Sequence, residues 1–188
     1  HFVGLSMGAR ILMDFFPKHR SRVATLILCD CFFDYKILSD AKQKEFINLR
    51  QEPLKNGKTL EQIAPKLIDS LVGPNCKKEA RDRIYKSFLN IHIDSYLKTI
   101  AETISYDASN NLSEFDVPTQ LIYGEYDQLT PVSIGKMAQK KISNSSLSII
   151  KNAGHLSNIE QPDAFNTIID NFLSKHKNLA MFNKDKST

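Results

Sequence analysis

Apolar residues gather in three short runs along the chain, and each run predicts a strand. The runs are VATLILC at residues 23–29, TQLIY at residues 119–123 and LSII at residues 147–150. A strand that is covered on both faces of its sheet is apolar at most positions, so we interpret these runs as buried strands. Residues 1–3, directly before the first glycine, predict the end of a fourth strand.

Apolar residues at helical spacing lie between and after these runs. A first helix is predicted over residues 7–16, with Ile11 on its apolar side, and Pro17 is expected to end it. Two further helices are predicted over residues 133–141 and 162–175. Because strands that alternate with helices are joined by crossovers, the pattern predicts an α/β fold with a mostly parallel sheet flanked by helices.

A long helical stretch, residues 35–112, separates the first run from the second. Thr59 and Gln62 have the spacing of a capping box and predict the start of one of its helices. An insertion between two strands of one sheet emerges at the strand ends, where the active sites of α/β proteins lie. We therefore favour a helical cap, or lid, over a bundle that pads one edge of the sheet. The predicted parts are a core of residues 1–34 and 113–176, the cap at residues 35–112, and a flexible C-terminal tail at residues 177–188.

Residues 4–8 read G-L-S-M-G, the pattern of a serine nucleophile on a sharp turn from strand to helix. Glycines on both sides let the backbone turn tightly and leave the Ser6 hydroxyl exposed above the sheet. The backbone N–H of Met7, at the start of the following helix, is expected to donate to an oxyanion. A nucleophile strand normally lies in the middle of its sheet, so we expect this chain to be the later part of a longer protein.

A serine nucleophile needs a base, and the base needs an acid that holds it in place. His155 follows the third run directly and is the candidate base. Asp127 follows the second run and is the candidate acid, although Asp30 also ends a strand and Glu125 lies nearby. From the residues alone, Asp127 is only slightly ahead of these rivals.

The chain resembles the α/β-hydrolase superfamily over nearly its whole length. The segments that carry the likeness are F-V-G-L-S-M-G at residues 2–8, L-I-L-C-D at 26–30, V-P-T at 117–119, Y-G-E-Y-D at 123–127 and A-G-H-L-S-N-I-E-Q-P at 153–162. Within the superfamily it is most similar to the esterases and lactonases grouped with 3-oxoadipate enol-lactonase. In those proteins a G-L-S-M-G turn and an A-G-H-x-x-x-x-E-Q-P segment occur together.

The resemblance implies that Ser6 is the nucleophile, Asp127 the acid and His155 the base. It places Asp127 well ahead of Asp30, because Asp127 matches the G-x-x-D position of the family. The helical cap would then select the substrate. Two departures stand out. Ala9 occupies a position where many relatives have a second glycine, and we expect the front of the fold, with the loop that usually carries His-Gly and an oxyanion donor, to lie outside this sequence.

These features together predict a serine hydrolase that cleaves a carboxylic ester or a lactone through an acyl-Ser6 intermediate. Its expected partner is a small-molecule ester or lactone, and the chemistry needs no metal and no organic cofactor. Phe32, Phe33 and Leu156 are candidate substrate-binding residues. The alternatives are an acyltransferase with the same triad and a non-catalytic binding protein of the same fold.

Composition excludes several other classes of function. The net charge of +4 is spread over the chain, without a basic stripe interleaved with aromatic residues, so nucleic acid is not an expected partner. No apolar run approaches the roughly 18 residues of a membrane helix. The three cysteines form neither a C-x-x-C pair nor a Cys/His ligand set, which predicts no structural metal and fits a reducing cytoplasm. Homo-oligomerisation is left open.

Overall fold

A sheet of four parallel strands forms the centre of the fold. The computed structural model describes residues 1–179. The strands lie in the order β1 (Phe2–Leu5), β2 (Leu26–Cys29), β3 (Thr119–Gly124) and β4 (Ser145–Ile150). Each strand pairs in parallel with the next one along the chain, so all four carboxyl ends meet at one edge of the sheet. The predicted α/β fold and its four strands are confirmed.

Helices cover both faces of this sheet. In β2, Leu26 and Leu28 pack into one apolar cluster, whereas Ile27 and Cys29 pack into another on the opposite face. This alternation follows from the two-residue period of a strand, and it explains why residues 26–29 are apolar at every position. The helices are α1 (Met7–Lys18), α2 (Asp40–Arg50), α3 (Glu52–Lys55), α4 (Leu60–Asp69), α5 (Lys78–Leu89), α6 (Ile93–Ile104), α7 (Val132–Lys141), α8 (Ser157–Glu160) and α9 (Pro162–His176).

Two expectations for α1 are wrong. Pro17 does not end the helix, which continues to Lys18, and the backbone N–H of His19 closes its last turn. A proline removes only its own N–H donor, so the N–H groups that follow it still bond to the preceding carbonyls. Ile11 is 57% exposed rather than packed. The buried stripe of α1 consists of Ala9, Leu12, Met13 and Phe16.

The helical stretch at residues 35–112 leaves the sheet and returns to it at one place. An antiparallel bridge joins Asp34 to Asp107, and the backbone N–H of Ala108 donates to the carbonyl of Phe33 at 2.7 Å. Helices α2 to α6 lie between these ends. The structure describes this part of the chain completely, and it contains no strand. The capping box is formed by Thr59 and Gln62 at the start of α4.

The helical stretch has an apolar cluster of its own. Leu60, Ile63, Leu67 and Phe88 form part of it, and Leu156, just after the fourth strand, packs against it. The stretch therefore rests on the loops at the carboxyl edge of the sheet, although it belongs to another part of the sequence.

Membrane spans, cysteines and the C-terminal tail are the remaining features that the sequence raised. Among the helices that the structure describes, none is long and apolar enough to cross a membrane. All three cysteines are free thiols, and Cys29 and Cys31 are buried. Residues 180–188, most of the expected tail, lie outside the described residues.

Candidate active site

Four polar side chains follow the carboxyl ends of the four strands. Ser6 follows β1, Asp30 follows β2, Asp127 lies three residues after β3, and His155 lies in the loop after β4. Because parallel strands end at the same edge of a sheet, these residues come from distant parts of the chain to one place. The structure brings the predicted serine, acid and histidine into direct contact.

Ser6 occupies a strained turn between β1 and α1. Its backbone has φ 52° and ψ −111°, a conformation that residues with a side chain rarely adopt. Its N–H donates to the carbonyl of Cys29 at 2.8 Å. A Cβ at Gly4 would lie 2.6 Å from backbone atoms of Gly8 and Ala9, whereas a Cβ at Gly8 would meet nothing within 4 Å. The tight turn therefore requires a glycine at position 4 but not at position 8.

A chain of hydrogen bonds connects Ser6, His155 and Asp127. His155 Nδ1 lies 2.8 Å from Asp127 Oδ2, and His155 Nε2 lies 2.9 Å from Ser6 Oγ. An ionised carboxylate can only accept, so the ring proton lies on Nδ1 and donates to Asp127. Nε2 is then unprotonated and accepts the hydroxyl proton of Ser6. This is the tautomer that a general base requires.

Asp127 is held in place by the turn in which it lies. Its Oδ1 accepts from the backbone N–H groups of Leu129 at 2.9 Å and Thr130 at 2.8 Å. Its Oδ2 accepts from the Thr130 hydroxyl as well as from His155. The carboxylate is 97% buried and fully hydrogen-bonded, so its position leaves the imidazole little freedom to turn.

Each member of the buried acid–base pair shifts the pKa of the other. Burial by itself raises the pKa of Asp127, but the charge and hydrogen bond of His155, with the Thr130 donors, bring the pKa below its ordinary value. Burial by itself lowers the pKa of His155, but the Asp127 carboxylate brings it above its ordinary value. The pair therefore favours the charged imidazolium that forms when His155 takes a proton from Ser6.

Asp30, the rival acid, is hydrogen-bonded to other residues than His155. Its Oδ1 accepts from the backbone N–H of Gly124 at 2.8 Å, and its Oδ2 accepts from the Ser157 hydroxyl at 2.5 Å. Burial raises the pKa of Asp30 to about 7, opposed by the charge of His155 and reinforced by that of Asp127. Asp30 thus ties the end of β2 to the loop that carries His155, without contacting the imidazole.

The raised pKa of Asp30 predicts a pH-dependent stability. Between about pH 4, where an aspartate in the unfolded chain ionises, and about pH 7, the native protein keeps a proton that the unfolded chain has lost. The native state then binds more protons, so this group's contribution to the free energy of unfolding decreases as pH rises through that window.

Asp30→Asn removes this titration and keeps the shape of the side chain. We expect urea unfolding to show that, between about pH 5 and about pH 8, the free energy of unfolding of wild type decreases by about 3 kcal/mol relative to that of the variant. A stability difference that is constant with pH would mean that Asp30 is ionised in the native state throughout.

Glu160 is a site residue to which the sequence analysis assigned no role. Its side chain is almost fully buried, and its two carboxylate oxygens accept from the backbone N–H groups of Gly73 at 2.7 Å and Gly154 at 2.9 Å. The N–H of His155 donates to the carbonyl of Leu71 at 2.6 Å. These bonds connect the helical stretch directly to the histidine loop. The only sequence signal for Glu160 was its place in the A-G-H-x-x-x-x-E-Q-P segment.

The histidine loop also depends on close contact between glycines. A Cβ at Gly124, the last residue of β3, would lie 2.0 Å from the carbonyl oxygen of Gly154. Gly124→Ala is therefore expected to lower the free energy of unfolding by about 3 kcal/mol, because two backbone segments must separate. Gly8→Ala is the matched control, since its Cβ has open space within a helix, and it is expected to raise stability by up to about 1 kcal/mol.

Urea unfolding with circular dichroism measures both variants. Equal stabilities for Gly124→Ala and wild type would show that the loop can move away from β3 at little cost. The histidine loop would then not be held by this contact.

An open cavity of about 670 Å³ lies over the serine and the histidine. Met7 lines it, and as the first residue of α1 it has a backbone N–H without an intrahelical acceptor. Phe32 and Leu156, two of the candidate substrate-binding residues, also line the cavity. Phe33 does not: it is 2% exposed and packs in the core beneath the Lys141 ammonium.

Comparison with known proteins places this site in a wider context. A family model that describes the α/β hydrolase fold matches residues 1–162. Monoacylglycerol lipase ABHD6 of Bos taurus is 24% identical over 189 residues, which cover 93% of this chain and 54% of the lipase. The 2-hydroxy-6-oxononadienedioate/2-hydroxy-6-oxononatrienedioate hydrolase of Escherichia coli K12 is 26% identical over 183 residues, which cover 93% of this chain and 62% of that hydrolase.

A solved structure agrees with the sequence matches. The thermophilic esterase of Thermogutta terrifontis superposes with a TM-score of 0.80 and 25% identity, over 93% of this chain and 64% of the esterase. This chain thus spans between about half and two thirds of the length of these relatives.

Proposed function

Because this chain belongs to the α/β-hydrolase fold family, we propose that it contributes the triad of an enzyme that hydrolyses a carboxylic ester or a lactone. The observation that carries the proposal is the continuous hydrogen-bond chain from Ser6 Oγ to His155 Nε2 and from His155 Nδ1 to Asp127 Oδ2, at 2.9 and 2.8 Å. An esterase and a lipase among the similar proteins support the same class of reaction.

In the first half-reaction, Ser6 Oγ attacks the carbonyl carbon while His155 Nε2 takes the hydroxyl proton. The carbonyl oxygen becomes an oxyanion, and the N–H of Met7 at the positive end of α1 is placed to donate to it. When the carbon–oxygen bond of the ester breaks, His155 returns its proton to the departing oxygen. The products are an acyl-Ser6 and an alcohol, which in a lactone remains attached to the acyl chain.

In the second half-reaction, water attacks the acyl carbon and His155 takes a proton from it. The bond between the acyl group and Ser6 Oγ breaks, the serine regains its proton, and a carboxylic acid leaves. Asp127 stays ionised and supports the imidazolium in both halves. No step draws on a group outside these residues, the substrate and water.

The helical stretch at residues 35–112 is proposed to act as the cap of this site. Its helices supply much of the cavity wall, including Leu67, Phe88 and Tyr96. Its contacts with Glu160 and with the N–H of His155 connect the cap to the catalytic base. The finer likeness to 3-oxoadipate enol-lactonase, and a cytoplasmic location inferred from the cysteines, stay predictions.

Labelling with a fluorophosphonate tests the proposed nucleophile. In the complete protein, the probe is expected to form one covalent adduct, which peptide mass spectrometry places on Ser6. Asp127→Asn should slow this labelling, because the base is no longer held in the required tautomer. An adduct on any other residue, or none, would contradict the proposal. Product analysis with added alcohols separates hydrolysis from acyl transfer, since an acyltransferase yields a new ester.

A further inference from the structure

The charged residues that line the cavity are of one sign. Arg10 and Arg50 lie in its wall, and none of the described lining residues is an aspartate or a glutamate. Most other lining residues are apolar, such as Phe88 and Ile100 in the helical stretch. A cavity with cationic groups and an apolar wall favours a ligand that has an anionic group on a hydrocarbon chain.

Arg50 is buried without a carboxylate partner. It lies in the last turn of α2 and is 6% exposed. Its guanidinium lies 4.2 Å from the ring centre of Phe46 and makes one long hydrogen bond, 3.5 Å, to the carbonyl of the same residue. Among the described residues, no carboxylate oxygen lies within 4.0 Å of it. A guanidinium has five N–H donors, so most of them have no acceptor among the described residues, and no side-chain nitrogen without an acceptor is fully buried.

Arg10 approaches the same cavity from the side of the nucleophile. It lies four residues after Ser6, and side chains at this spacing share one face of a helix. Its guanidinium donates to Thr103 Oγ1 at 2.9 Å and lies near the rings of Phe32 and Tyr106. As with Arg50, no described carboxylate forms an ion pair with it.

Two such arginines have an energetic cost. Burial lowers the pKa of Arg10 and of Arg50, which shows that each charge has lost part of its hydration. The carboxylate of Asp14 acts to raise the pKa of Arg10, and that of Glu45 acts to raise the pKa of Arg50, but neither forms an ion pair with its arginine. Burial of charges that are not closely paired destabilises the fold, and stacking on aromatic rings offsets only part of that cost. A ligand that supplies a carboxylate to this cavity would remove much of the cost of burying these charges.

We propose that the ester or lactone substrate carries a carboxylate at some distance from its scissile carbonyl, and that Arg50 and Arg10 bind this carboxylate in the cavity. The inference rests on the proposed function and names its substrate class. A guanidinium presents two parallel N–H donors to a planar carboxylate, which gives both strength and orientation. The apolar wall between the arginines and Ser6 would take the chain that joins the two ends of the substrate.

Arg50 also lies within electrostatic reach of His155, the proposed catalytic base. The charge of Arg50 acts to lower the pKa of His155, against the larger effect of Asp127. A carboxylate bound to Arg50 would cancel this effect. The bound acid-ended substrate would therefore favour the imidazolium that forms during the reaction, in addition to binding more tightly.

A matched pair of substrates tests the inference. The 4-nitrophenyl monoester of glutaric acid and 4-nitrophenyl pentanoate have acyl chains of the same length, and only the first ends in a carboxylate. In the complete protein, kcat/KM is expected to be at least about tenfold higher for the acid-ended ester. Arg50→Gln should reduce this ratio to about one, and Arg10→Gln should reduce it in part. Arg83→Gln, an exposed arginine of α5 outside the cavity, makes the same change in charge and should leave the ratio as in wild type.

Equal kcat/KM for the two esters in wild type would overturn the inference while the proposed function stands. If neither ester is hydrolysed, the proposed function fails, and a binding measurement decides the inference separately. Glutarate, but not pentanoate, is expected to raise the melting temperature of Ser6→Ala, and the additional change Arg50→Gln should abolish that shift. Equal shifts of the melting temperature with both acids, or no shift with either, would contradict the inference. If Arg50→Gln does not fold, Arg50→Lys keeps the charge, removes the paired donors, and should lower the ratio as well.

Discussion

Ester hydrolysis by the complete protein is expected to fall by about 10⁴- to 10⁶-fold when Ser6 is replaced with alanine. The change removes the only oxygen within hydrogen-bond distance of His155 Nε2 among the described residues, and with it the acyl-enzyme route. The Oγ atom makes no other described contact that the fold needs, so the variant should keep its structure. Steady-state kinetics with a 4-nitrophenyl ester measures the loss, and circular dichroism checks the fold.

Ser95→Ala is the matched control for this experiment. Ser95 lines the same cavity, and its Oγ lies 3.1 Å from His92 Nδ1. It is therefore another serine that is hydrogen-bonded to a histidine. His92 accepts from the N–H of Ser95 as the N-cap of α6, which is a structural role. We expect Ser95→Ala to change kcat by no more than about threefold. Equal losses in the two variants would mean that Ser6 is not the nucleophile.

The second large effect separates the two buried acids. Asp127→Asn is expected to lower kcat by about 10⁴-fold, because an amide can donate to His155 Nδ1 and so favour the wrong tautomer of the imidazole. Asp30→Asn should lower it by no more than about tenfold, because Asp30 contacts Gly124 and Ser157 rather than the ring. Both changes remove one carboxylate from the same part of the protein and keep its volume.

Measurement of kcat for both variants over a range of pH distinguishes the roles of these acids. A loss in Asp30→Asn as large as that in Asp127→Asn would reverse the assignment of the acid. If kcat falls by no more than about tenfold in both variants, Asp127 does not have the role of a triad acid despite its hydrogen bond of 2.8 Å to His155. Urea unfolding should accompany the kinetics, because Asp30 also connects β2 to the histidine loop.

Local signals in the chain predicted the main elements of the fold. The apolar runs marked β2, β3 and β4, and the pair Thr59 and Gln62 marked the start of α4. Such signals are reliable because backbone periodicity and helix capping involve residues that are close in sequence. The error at Ile11 in α1 arose because tertiary packing chooses which face of a helix is buried, whereas the error at Pro17 concerned the backbone hydrogen bonds that continue after a proline.

The candidate triad followed from the same kind of reasoning, extended across the sheet. Parallel strands bring their carboxyl ends together, so a serine, an aspartate and a histidine at three strand ends could be expected to meet. The choice between Asp127 and Asp30 could not be made from the residues, since both follow buried strands. In the structure, Asp127 is hydrogen-bonded to the ring and is held by the N–H groups of Leu129 and Thr130, whereas Asp30 is hydrogen-bonded to Gly124 and Ser157.

Contacts between distant segments had no local signal. Glu160 bonds to Gly73, and Arg10 and Arg50 reach one cavity from helices on different sides of it. These contacts depend on how the helical stretch folds back over the strand ends. Hydrophobic periodicity and helix capping do not encode that packing. The sequence thus determined the elements, their parallel order and the residues available for chemistry. The tertiary structure decided which acid is hydrogen-bonded to the histidine, a choice that only the resemblance to the α/β-hydrolase superfamily had favoured beforehand. It also decided which charges line the cavity, because both depend on the packing of segments far apart in the chain.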